Sequence, residues 1–113
     1  MSDEVELVII GKVTDNARRA LFESFSALRS KGVKKINLRA FMQRASLEYI
    51  EGLREFLLAN MVTSIRLYEH DLSELRDVLE RLVKGGKEVF AISGEEPLRS
   101  QVLDLLNSLK SGG

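Results

Sequence analysis

The chain is expected to be an α/β protein: a single domain of four βα units, with a four-stranded, mostly parallel sheet packed by four helices. Three observations predict this. Four short β-rich runs recur along the 113 residues, and each is followed by a longer segment with apolar residues three or four apart. Helix start and stop signals also fall at the boundaries between them. Regular alternation of this kind implies parallel neighbours joined by right-handed crossovers.

The first strand is "VELVII" (Val5–Ile10), apolar on both sides after Glu6 and therefore expected to be covered on both faces. In the helix that follows, Ala17, Leu21, Phe25 and Leu28 line one face, with Thr14 as its N-cap and Gly32 in "SKG" as its stop. The second strand, "VKKINLRA" (Val33–Ala40), alternates Ile36, Leu38 and Ala40 with Lys35, Asn37 and Arg39. A helix carrying Ile50, Leu53 and Leu57 follows, with Ser46 placed to cap its start. In the third strand, "VTSIRLYE" (Val62–Glu69), Ile65 and Leu67 alternate with Ser64, Arg66 and Tyr68. Asp71 and Glu74 then read as a capping box before the stripe Leu72, Leu75, Leu79 and Leu82, which ends at "KGGKE". The last strand, "KEVFAIS" (Lys87–Ser93), is again apolar on both sides. Ser93 and Glu96 read as a second capping box, with Pro97 in the first turn of a helix carrying Leu98, Val102, Leu105 and Leu109. Residues 110–113 are expected to form a flexible tail.

Composition narrows the functional classes. Apolar and charged fractions of 44% and 30% fit a soluble globular protein, and the absence of cysteine excludes disulfides and thiolate metal sites. The N-terminus begins acidic, without the basic start of a secretory signal, and no segment approaches the ~20 apolar residues of a membrane span. A cytoplasmic location is therefore expected. Seventeen basic and seventeen acidic side chains cancel, so bulk charge promises no affinity for nucleic acid or membrane. The charge is nevertheless uneven: from Arg29 to Arg44 there are six basic residues and no acid, which reads either as an anion-binding patch or as a solvated loop and strand face. The polar rows of the middle strands place Asn37, Arg39, Arg66 and Tyr68 on one face, either a docking surface or simply an incompletely covered sheet.

Chemistry finds little to work with. Gly11 in "GKVTDN" stands alone, without the glycine spacing that lets a backbone approach pyrophosphate. His70, the single histidine, lies between Glu69 and Asp71 at a strand end, where α/β sheets place ligands, but adjacent residues of an extended chain point apart. No local motif supplies a nucleophile with its base. Catalytic residues, metal and cofactor are accordingly expected to be absent.

From "GKVTD" through "ALRSKGVKKINL" to "RASLEYI", the order of features resembles the STAS domain, the fold of anti-sigma-factor antagonists and sulfate-transporter tails. That family ends a strand in Gly-x-Leu-Asp. Here Gly11 and Val13 match, Thr14 stands at the acid, and Asp15 comes one place late. The family then opens a helix with Asp-Ser-Ser-Gly, whose first serine is phosphorylated by a partner kinase, and Ser46 occupies the corresponding place among Ala45, Leu47 and Glu48. The resemblance implies a non-enzymatic regulatory module that binds another protein through Ser46, Arg44 and Asp15.

Two other classes remain open. One is a small ligand- or nucleotide-binding α/β domain using Lys12, Thr14, Glu69 and His70. The other is a short leucine-rich-repeat-like scaffold, implied by strand starts at Val5, Val33 and Val62, or a designed fold without tryptophan or cysteine. Topology separates these: a mixed sheet with a hairpin accompanies the STAS reading, a parallel sheet with helices on both faces the nucleotide-binding-like or designed one, and helices on one face the repeat.

Overall fold

A computed structural model describes residues 2–69, 72–95 and 98–112. His70, Asp71, Glu96 and Pro97 lie outside the described residues, and with them the strand-end histidine and half of each expected capping box. The elements are β1 (Glu4–Gly11), α1 (Asp15–Ser30), β2 (Lys35–Met42), α2 (Arg44–Gly52), α3 (Arg54–Leu58), β3 (Val62–Glu69), α4 (Leu72–Lys84), β4 (Val89–Ile92) and α5 (Leu98–Lys110).

The strands lie in the order β3-β2-β1-β4, and all three pairings are parallel. Right-handed crossovers dictate where the helices must go. The chain moves outward in one direction from β1 to β2 to β3, which puts α1, α2 and α3 on one face. It then reverses to place β4 beyond β1, which puts α4 on the other. Two cores result. On the front, Val5, Leu7 and Ile9 of β1 pack with Leu21 and Phe25 of α1, Ile50 of α2 and Leu57 of α3. On the back, Val8 and Ile10 join Phe41, Leu75 and Leu79 of α4, and Val102 and Leu106 of α5. Of the three arrangements set out above, this is the second, with a wholly parallel sheet and helices on both faces.

β1 is therefore hydrogen-bonded on both edges and roofed on both sides, which its run of apolar residues requires. β4 has the same composition but sits at an edge, and it is apolar on both sides because α1 and α5 flank it rather than because strands do. β2 begins at Lys35, two residues later than expected, because Val33 is used elsewhere. Its amide bonds the Leu28 carbonyl (3.0 Å) while that of Gly32 bonds Arg29 (3.1 Å), with Gly32 at φ +90. This is a Schellman closure, in which Val33 is buried in the same core as Leu28. α4 ends the same way: the Lys87 amide bonds Leu82 and that of Gly86 bonds Val83, both at 3.0 Å, with Gly86 at φ +76.

The helix expected between β2 and β3 is two helices, making five in place of four. Gly52 weakens the first, and Leu53 leaves helical geometry at φ −94, ψ 2 while its amide bonds Ile50. The break lets Ile50 and Leu57 both reach the front core. Lys110, assigned to the tail from sequence, belongs to α5, and its ammonium bonds the Val89 carbonyl at 3.2 Å. Among the described residues no helix is long and apolar enough to cross a membrane.

The two glycine environments give opposite expectations. Gly86→Ala should lose about 1 kcal/mol of stability although its surroundings are open, because the left-handed conformation penalises a Cβ. Gly52→Ala, at an ordinary helical position with open space around it, should gain about 0.4–1 kcal/mol. Urea denaturation of the two variants measures both.

Candidate functional site

The C-terminal ends of the strands carry the residues singled out for partner binding. β1 ends at Gly11 (φ +96), and Thr14 caps α1, its hydroxyl accepting the Ala17 amide at 3.0 Å. Ser46 is not a cap. α2 begins two residues earlier, at Arg44, with Gln43 in the capping position and making no side-chain bond. The reason is that Phe41 and Met42 are fully buried and continue β2 to its pairing with Ile10 and Gly11, so the chain turns at Gln43 and the helix starts at once. Ser46 is instead half-buried in the first turn of α2, where its Oγ accepts the Val13 amide at 3.0 Å. That single bond ties the β1–α1 loop to α2.

Arg44 is exposed and pairs with Glu69 at the end of β3 at 3.6 Å, joining the β2 and β3 ends by a contact worth about 0–1 kcal/mol. Asp15 meets neither Ser46 nor Arg44. It bonds Arg18 within the first turn of α1, and that bond pushes the guanidinium pKa up. Arg18 also lies over the Tyr49 ring of α2, 5.8 Å from its centroid. The ends of β1, β2 and β3 thus lie on one surface, with Ser46 tying the β1–α1 loop to the first turn of α2.

The reversal of strand order between β1 and β4 creates a topological switch point, the usual ligand crevice of such sheets. Here the chain itself occupies that crevice. Gly94, after β4, lies against the first turn of α1, where an added Cβ would collide with the Thr14 hydroxyl and come within 3.0 Å of the Ala17 nitrogen. Glu95 reaches back to Gly11, where a Cβ would meet its carboxylate. The Ala17 and Arg18 amides, which could otherwise receive an anion, are bonded to Thr14. Sequence reading missed this contact, for which the glycine of "ISGEE" is the only signal. Lys12 is exposed, Glu69 is engaged by Arg44, and His70 lies outside the described residues.

The second candidate surface is more closed than expected. Asn37 and Arg39 are held by Glu6, an acid buried to 4% exposure inside the apolar first strand. The Asn37 amide donates to Glu6 Oε2 (2.6 Å) and Glu4 Oε2 (2.8 Å), and its Oδ1 accepts from Ser64 (2.7 Å) and Thr63 (3.0 Å). Arg39 pairs with Glu6 at 3.2 Å and donates to the Tyr68 hydroxyl at 3.0 Å. Tyr68 in turn stacks on Phe41, with ring centroids 4.2 Å apart. Among the described residues no buried side-chain polar atom is left without a partner. Of the four residues, only Arg66 stands exposed. Glu6 was not read from sequence as functional, although an acid in an apolar strand beside a basic one is a legible signal.

Among the described residues no group of three His, Asp or Glu side chains is placed to hold a metal ion. Compared with known protein families, curated proteins and solved structures, the chain matches none.

Removing the Glu6 charge tests the network. Glu6→Gln strands a nearly buried guanidinium and should cost about 3 kcal/mol, whereas replacing both partners, Glu6→Leu with Arg39→Met, should restore most of that loss. Chemical denaturation of the single and double variants measures the difference.

Proposed function

We propose that the protein is a non-enzymatic regulatory module that binds another protein through the C-terminal end of its sheet, with Ser46 as the control point. The observation that carries this reading is the Ser46–Val13 bond. It joins the β1–α1 loop to the first turn of α2 through a half-buried side chain that can be modified. The wholly parallel sheet is not the mixed sheet that the STAS resemblance implies, so the regulatory part rests on the position of Ser46 and not on that resemblance.

The physical consequence of a charge there follows from the position. Ser46 lies in the first turn of α2, where the helix dipole favours negative charge, so a phosphate is compatible with the helix. It would also add close to two negative charges beside Lys12 and Arg44 and compete for the pairing of Arg44 with Glu69. The docking surface changes while the core does not. Occupation of the switch-point crevice by Gly94 and Glu95 further favours surface contact over chemistry in a cleft.

A second reading, a small-ligand-binding domain, is favoured by one observation. Beside the free edge of β4 a hollow of about 440 Å³ opens between α1 and the start of α5, with Asn16, Ser24, Ser93 and Arg99 among its lining. That volume falls in the range of about 300–1,000 Å³ common for ligand pockets.

Affinity capture from the source cell, with wild type, Ser46→Ala and Ser46→Asp as baits, tests the first reading. Ser46→Ala should keep the captured protein while losing about 1 kcal/mol of stability with the Val13 bond. Ser46→Asp should keep the fold and change the captured amount at least several-fold; equal capture by all three baits contradicts the proposal.

A further inference from the structure

On the back face, α4 and α5 do not extend over the lower part of the β2–β3 edge. They leave a hollow of about 210 Å³ lined by Arg39, Arg66, Arg81 and Lys87 and walled by Val78 and Leu82. It lies away from the Ser46 surface and rests on neither functional reading above.

The charges around it do not balance. β1 contributes two acids to this face, Glu4 and Glu6, which both accept from Asn37 while Glu6 also pairs with Arg39. Lys87 borders these two and Glu88 on its other side; the lining of the hollow itself holds no acid. β2 contributes Arg39, β3 Arg66, α4 Arg81, and the following loop Lys87. On the outer side of α4, Arg81 borders Asp77 and Glu80, but it pairs with neither, and Glu80 is engaged by Lys84. Among the described residues the side chains of Arg66, Arg81 and Lys87 have no ion-pair partner.

Two of these cations are set against each other by the sheet itself. Arg39 and Arg66 are register partners across β2 and β3, so their side chains leave the same face side by side. Directly paired like charges destabilise a sheet, and an anion between them would turn the repulsion into attraction. Arg39 is also held in place by Glu6 and by Tyr68, so its guanidinium is ordered before any ligand arrives. The negative end of the α4 dipole does not oppose an anion strongly, because the Arg81, Leu82 and Val83 carbonyls all accept backbone amides, from Gly85, Lys87 and Gly86.

Size and chemistry select the ligand. The space is below the ~300 Å³ usual for drug-sized ligands, which favours a compact one, and at ~30 Å³ per water it holds about seven solvent molecules' worth of anion. Guanidinium forks match phosphate oxygens, two at a time. We propose that the hollow binds a free, compact phosphate-type polyanion, of which inorganic pyrophosphate is the simplest representative.

The test is a titration of the full ¹⁵N-labelled chain with pyrophosphate at constant ionic strength, followed by amide shifts, with sulfate as the matched control. Saturable shifts clustered at Arg39, Arg66, Arg81, Gly85 and Lys87, stronger with pyrophosphate than with sulfate, are expected. Arg66→Gln and Arg81→Gln, both exposed substitutions, should each weaken binding about tenfold. Without ligand, Arg66→Gln should be at least as stable as wild type, since it relieves the repulsion. Unsaturable shifts scattered over surface lysines, shifts centred on Lys12 and Thr14, or unchanged affinity in the Arg66→Gln, Arg81→Gln double variant would overturn the proposal.

Discussion

The burial of β1 on every side is the constraint from which the remainder of the structure follows. The strand bonds β2 along its whole length and β4 along half of it, while its alternate side chains enter two separate cores. Leu7, Val8 and Ile10 are completely buried, and each such side chain contributes about 1.5–3 kcal/mol relative to exposure. A strand so placed cannot be an edge, so the chain must add strands on both sides of it. With right-handed crossovers this forces the helices onto both faces. The reversal of direction that places β4 also creates the switch point, and the C-terminal end of β1 becomes the place where the β1–α1 loop, the start of α2 and the segment after β4 meet.

That convergence explains why both candidate surfaces are defined by β1, although neither lies in it. Its last residue, Gly11, leads into the loop that Ser46 holds through Val13, and its buried acid, Glu6, holds Arg39 and Asn37 on the back face. One end of the strand positions the surface on which a partner is proposed to dock. The other positions a guanidinium beside Arg66. The two sites share a scaffold but no side chain, so loss of either leaves the other interpretable.

Much of this was legible in the residues because the strongest signals come from burial. β3 runs from Val62 to Glu69 as its period-two alternation predicts, and α1 buries its stripe Ala17, Leu21, Phe25 and Leu28. By contrast, α5 buries Val102 with Leu106, which its stripe did not include, and leaves Leu98, Leu105 and Leu109 half-buried. Helix ends were harder to read where a second demand competed. Val33 looked like the first residue of a strand because it is β-branched and buried, yet it closes the Schellman turn of α1. Ser46 looked like a cap because its type favours that position, but completion of β2 through Met42 moved the helix start to Arg44. The Ser46–Val13 bond spans 33 residues, and the approach of Gly94 to Thr14 spans 80, so no local pattern encodes either. Strand order was equally beyond local reading, since four βα units allow several parallel orders and only long-range packing selects one.

β1 is the rigid centre of the fold, and its end is tied to α2 through Ser46. Native-state hydrogen exchange of the full chain reads both at once. The amides of Leu7 to Ile10 should exchange only on global unfolding, those of the β4 edge faster, and the Val13 amide should be protected although it lies in a loop, with that protection lost in Ser46→Ala. A Val13 amide that exchanges as freely as an open loop in the wild-type chain, or β1 amides no better protected than those of β4, would contradict this arrangement.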